Sequence, residues 1–202
     1  DLSFFGENHP SVASGYYNIG YVYFAQGDYS KALEYFEEVL KIRLSVYGEN
    51  HSRVASVYND IGEIYSVQGD DFKALDYFKK SLKIVLSVYG ENHSQVSSIY
   101  DHIGEVYFAQ KDYSKALYYF EESLKIRLSL FGENHPEVAL SYYSIGSLYI
   151  IQGDKSKALN YYEKSLKIRL SVYGENHPLT KEIMDLINVA NSKVLQSPET
   201  TK

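Results

Sequence analysis

Apolar residues recur along the chain in two alternating helical patterns. Val12, Tyr16, Ile19 and Tyr23 are spaced 4, 3 and 4, which sets them on one face of a helix. Ala32, Phe36, Leu40 and Leu44 then form a second stripe that runs to the end of "KIRLSVYG". Between them "QGD" supplies a stop and a start. Gly27 suits the left-handed conformation that closes one helix, and Asp28 suits the cap of the next. The predicted unit is helix, tight turn, helix.

This unit repeats every 42 residues. "IG" returns at Ile19, Ile61, Ile103 and Ile145, with Tyr23, Tyr65, Tyr107 and Tyr149 three places after each glycine, and "KAL" returns at Lys31, Lys73, Lys115 and Lys157. The pattern predicts helices over 10–26, 29–47, 52–67, 71–89, 94–109, 113–131, 136–151, 155–173 and 178–194. One turn breaks the rule: Lys111 stands where the other copies have glycine, so that turn should be strained or differently shaped. Between units lies "YGENH", starting at Tyr47, Tyr89 and Tyr173, with Phe variants at Phe5 and Phe131. Gly48 suits the end of a helix, Asn50 or His51 stands where the next must be capped, and Tyr47 is expected to pack under the joint. Histidines spread over successive loops cannot converge on one ion.

A small residue (Gly20) in the first helix, an aromatic three on (Tyr23), a small residue opening the second (Ala32) and then Phe36 resemble the tetratricopeptide repeat, or TPR. The 42-residue period, "GENHP" and "GDYSKALEYFEE" resemble its kinesin light chain-like subclass. The expected fold class is all-α: an α-α superhelix, or right-handed solenoid, of tandem helix-turn-helix repeats. Expected divisions are the end of a preceding repeat at 1–8, repeats at 9–50, 51–92, 93–134 and 135–176, a capping helix at 177–194 and a disordered tail at 195–202. Because "DLSFF" aligns with the tail of an earlier repeat, the chain reads as a piece of a longer protein.

The resemblance implies that first helices line a concave, ligand-facing groove while second helices form the convex back. Groove candidates are Tyr17, Asn18, Tyr21, Asn59, Asp60, Glu63, Asp101, His102, Glu105, Tyr143 and Ser144, joined by Ser14, Ser56, Ser98 and Ser147. Kinesin light chains bind acidic cargo peptides through basic groove residues. Here Asp60, Glu63, Asp101 and Glu105 put four carboxylates in the middle repeats, with no Lys or Arg in those columns. The groove should favour a basic or neutral segment, with Tyr17, Tyr21 and Tyr143 offering ring faces to cations and Asn18 and Asn59 holding peptide backbone.

Composition narrows the alternatives. A net charge of −6 argues against nucleic acid and acidic membrane surfaces as partners. With no cysteine there is no disulfide framework or thiolate metal site, which fits a reducing, cytoplasmic setting. No window reaches the roughly 18 to 20 apolar residues that span a bilayer. His102 with Glu105, beside Asp60 with Glu63, raises a divalent-ion site, but neighbouring first helices stand about 10 Å apart and no second histidine joins them. No phosphate-binding glycine loop or nucleophile motif is present, so neither an enzyme nor a cofactor is expected. Second-helix charges such as Glu37 and Lys41 are assigned to a solvated convex face. The expected function is a monomeric protein-interaction scaffold. The alternative is a spacer or end-to-end self-associating array, serving as the targeting part of a larger protein with a catalytic domain elsewhere.

Overall fold

The computed structural model describes residues 9–192. These form α1 (Pro10–Ala25), α2 (Tyr29–Tyr47), α3 (Ser52–Val67), α4 (Asp71–Tyr89), α5 (Ser94–Ala109), α6 (Tyr113–Phe131), α7 (Pro136–Gln152), α8 (Lys155–Tyr173) and α9 (Pro178–Ser192), with no strand among the described residues. Two compact units divide the chain, one over 1–110 and one over 111–202. The expected terminal pieces 1–8 and 195–202 lie outside the described residues.

Short punctuation residues set the helix boundaries. Asp28, Asp70, Asp112 and Asp154 each accept the backbone N–H three residues on, at 3.0–3.3 Å. The lysine at that third position turns its ammonium back to the same carboxylate, 2.6–3.2 Å away. Three of these lysines also sit 4.7–5.0 Å over the tyrosine of the preceding helix, Tyr23, Tyr65 or Tyr149. Lysine in "KAL" therefore ties the cap of one helix to the end of the other. At the turn lacking glycine, Lys111 takes φ 63°, the left-handed region that glycines at the other turns occupy at 77–82°. The turn keeps its shape and the lysine bears the strain.

"YGENH" joins consecutive repeats. Gly48, Gly90, Gly132 and Gly174 end their helices at φ 75–79°. The histidine Nδ1 of His51, His93, His135 and His177 accepts the backbone N–H two residues on at 3.1–3.2 Å, so histidine, not asparagine, is the cap. Each ring also stacks on the aromatic four residues earlier, with centroids 4.1–4.5 Å apart. Aromatic and histidine thus clamp the joint between them.

In the first unit α1 packs on α2 and α3 on α4, while α2 and α4 pack on the next first helices, α3 and α5. The second unit repeats this with α6 on α7, α7 on α8 and α8 on α9. Ala32, Ala74, Ala116 and Ala158 are fully buried, and Phe36 and Phe78 are almost so. Close approach is a glycine property here: a Cβ on Gly62 would lie 2.7 Å from the Phe78 ring. One expected core position differs. Ile19 is 40% exposed, whereas Ile61, Ile103 and Ile145 are at 0%, because each of the latter is covered by a preceding second helix and Ile19 has none among the described residues. On the outer face Lys41 pairs with Glu38 at 3.6 Å, not with the Glu37 expected from i,i+4 spacing.

Candidate functional site

In the first unit the candidate residues come from α1, α3 and α5. Tyr17, Asn18, Tyr21, Val22 and Ala25 line a hollow on α1, where Asn18 and Tyr21 are exposed. Tyr17 is not an open ring, because the Arg43 guanidinium from α2 lies 4.9 Å over it. Its hydroxyl donates to Asp60, and burial together with that carboxylate pushes its pKa up. Asp60 in turn is a half-buried residue whose pKa is pushed up to about 6 by loss of water; the Tyr17 hydrogen bond and the Arg43 charge work against that rise. Its Oδ2 has no hydrogen-bond partner.

Arg43, a second-helix charge that the sequence reading did not single out, faces inward. Its guanidinium donates to the Arg53 carbonyl at 2.7 Å and the Ser56 hydroxyl at 3.0 Å, bolting α2 to α3. So Asp60 does not face an all-acidic surface; a cation of the chain itself stands beside it.

Further along, Asn59 Nδ2 donates to Glu63 Oε1 at 2.6 Å, and its Oδ1 lies 3.1 Å from His102 Nδ1. Both ends of the amide are engaged within the protein, which differs from the expected peptide clamp. His102 Nε2 lies 3.6 Å from Glu63 Oε1, and its ring tilts over Phe78 at 5.2 Å. Burial, and then the charge of Asp60, push Glu63 up to about 7, with the Asn59 hydrogen bond opposing. Glu105 is raised by burial, then by Asp101 and Glu63. Phe24, Val67 and Phe78, with Glu63, Ser66, His102 and Glu105, enclose a cavity of about 190 Å³. No group of three or more His, Cys, Asp or Glu suited to hold a metal ion occurs among the described residues.

Tyr143 and Ser144 belong to α7 in the second unit. Tyr143 repeats the Tyr17 arrangement: Arg169 lies 4.9 Å over its ring, and its hydroxyl donates to Glu182 at 3.0 Å. Arg169 also donates to the Leu179 carbonyl at 2.6 Å. Sequence reasoning missed this arginine column, although its signal, "KIRLS" three times against "KIVLS" once, was available.

The Tetratricopeptide repeat family model matches residues 11–87, 53–129 and 96–171, which together span most of the chain. The chain belongs to the tetratricopeptide repeat family. It is an all-α TPR protein of the tandem-repeat solenoid class, with a 42-residue repeat. TPR proteins mediate protein–protein interactions and are typically non-catalytic scaffolds. Among solved structures the TPR chain is similar to BtubC (BKLC) from P. vanneervenii, at 26% identity and TM-score 0.74 over 84% of this chain and 68% of that one. It is similar in fold to a kinesin light chain-like protein of Podosopora anserina with nearly identical TPR-like repeats, at 16% identity and TM-score 0.72 over 94% and 99%. The apo form of RapI shares the fold at 18% identity and TM-score 0.76, over 91% of this chain and 64% of RapI. No curated protein matches the sequence. Among the described residues no helix is long and apolar enough to cross a membrane.

Proposed function

We propose that this TPR chain, built of repeats at 9–50, 51–92, 93–134 and 135–176, binds a basic or neutral segment of a partner protein on its first-helix face. The observation that supports this reading is the cavity between α3 and α5. Its apolar lining comes from buried Phe78, with Phe24 and the exposed Val67, while Glu63 and Glu105 line it with raised pKa values. Carboxylates held partly out of water and close to one another bind protons too readily; a lysine or arginine beside them relieves both penalties at once. Apolar lining and acidic groups together fit a side chain with a long methylene stem and a cationic head.

The test is a titration of the chain with Lys/Arg-containing peptides and a charge-reversed set, over a salt series. Basic peptides should bind tighter and weaken as salt rises, and Glu63→Gln/Glu105→Gln should reduce their affinity about 10-fold. Equal or stronger binding of the acidic set would sink the reading.

A further inference from the structure

Arg43 and Arg169 act alike at their joints: each reaches from a second helix to a carbonyl and a side-chain oxygen on the following first helix. For Arg43 these are the Arg53 carbonyl and Ser56 Oγ; for Arg169, the Leu179 carbonyl and, at 3.5 Å, Glu182 Oε2. Arg127 serves the same purpose through Ser141 at 2.8 Å and Glu137 at 3.0 Å. All three rest near an aromatic ring or an acidic group of the chain, and their guanidinium groups are half-buried or buried. In the repeat of α4 the same column holds Val85, 42 residues from Arg43 and from Arg127. Valine leaves the cationic head out and cannot reach the next helix.

What stands there is a cavity of about 110 Å³, many times the roughly 10–15 Å³ that one water needs. Val85 and Ile99 supply its apolar wall, and Ser56, Asn59, Asp60, Ser81, Gln95 and Ser98 supply polar atoms. Gln95 and Ser98 occupy the columns of Arg53 and Ser56, the residues that Arg43 grips at its own joint. Both are exposed, so they form the mouth. Asp60 adds the charge: its Oδ2 is buried with no hydrogen-bond partner, an arrangement that costs free energy until a donor arrives.

We propose that this cavity is an arginine-anchor pocket: it receives a guanidinium side chain from a basic partner segment, in the place that the chain's own arginines fill at the other joints. The proposal rests on the reading that the first-helix face takes a basic segment, and it names where one side chain of that segment lodges. A planar head with five donors suits several oxygens at different angles better than an ammonium does.

The test uses two fluorescein-labelled seven-residue peptides with flanking lysines, one with a central arginine and one with citrulline, its neutral near-isostere. Anisotropy is read for the wild-type chain, Val85→Arg, Val85→Met and Glu63→Gln/Glu105→Gln. Val85→Arg supplies the missing guanidinium from within, and Val85→Met fills the space without charge, so one serves if the other misfolds by circular dichroism. The wild type should prefer arginine over citrulline about 10-fold, and both Val85 variants should abolish that ratio. A ratio that survives in either folded variant, or that is absent in the wild type, overturns the pocket. If both peptides bind alike and only Glu63→Gln/Glu105→Gln weakens them, the pocket falls and the basic-segment reading stands. If neither peptide binds, both fall.

Discussion

Asp60 should make the protein more stable as the solution turns mildly acidic, and removing its charge should erase that gain. Burial lifts its pKa from an ordinary 3.8 to about 6, against the pull of Tyr17 and Arg43. A raised carboxyl holds its proton better in the folded chain than in the unfolded one. Its contribution to stability is therefore complete below pH 3.8 and is lost as pH rises towards 6. At about 1.36 kcal/mol per pKa unit, ionised Asp60 costs the fold about 3 kcal/mol at pH 8, and about 1.5 kcal/mol of this returns by pH 5. Glu63, raised to about 7, acts in the same direction. Capping carboxylates such as Asp28 and Asp70 are lowered by their lysines, so they lose their contribution only below the ordinary carboxylate range.

The assay is urea unfolding followed by circular dichroism at pH 8 and pH 5, for wild type and Asp60→Asn. Groups that titrate alike in both proteins cancel in the comparison, while Glu63, whose rise owes part to the Asp60 charge, adds to the wild-type gain. With a denaturant slope of about 2 kcal/mol per molar urea, the wild-type midpoint should gain about 0.7 M over Asp60→Asn between the two pH values. Midpoints that move in parallel, or a gain for the variant, would refute the argument that Asp60 is held out of water.

Two further substitutions probe the frame. Gly62→Ala should be less stable than Gly15→Ala by about 1–3 kcal/mol in thermal unfolding, since helix propensity favours alanine at both while a new Cβ meets the Phe78 ring only at Gly62 and nothing within 4 Å at Gly15; equal melting would exclude the close contact. Lys111→Gly should raise stability by about 0.5–1 kcal/mol, because glycine takes φ 63° without the Cβ penalty and gives back part of that gain through its freer unfolded chain; a lower melting temperature would count against strain at this turn.

Local chemistry explains why the helix ends could be read from residues alone. Proline, aspartate and glycine act within a turn of where they stand, so α2 through α6 fall on the expected bounds. Groove chemistry resisted the same method because it depends on contacts between residues about ten to forty apart. Nothing local to Arg43 marked it, yet it lies over the Tyr17 ring and beside Asp60. Asn59 looked like a free amide, yet Glu63 and His102 hold both its ends. Ile19 looked like core because its column is core in every repeat that has a neighbour before it.

Repetition itself turns these contacts into information. Five of the six histidines repeat one place in the frame, and the structure gives them one duty, capping the helix that follows; His102 falls outside that register and lies instead between Glu63, Asn59 and Phe78. Val85 departs from its column in the same way, and the departure removes a cation from a joint whose oxygens remain. A residue that differs from three structural copies of itself does not perform the copies' duty, and the space beside it is shaped by that difference. That is why the cavity beside Val85 carries a chemical expectation that its size alone would not: Asn59 replaces the ring found under Arg43 and Arg169, but Gln95 and Ser98 hold the columns those arginines grip and Asp60 adds a carboxylate, and the side chain that would satisfy them must come from elsewhere or be supplied by Val85→Arg.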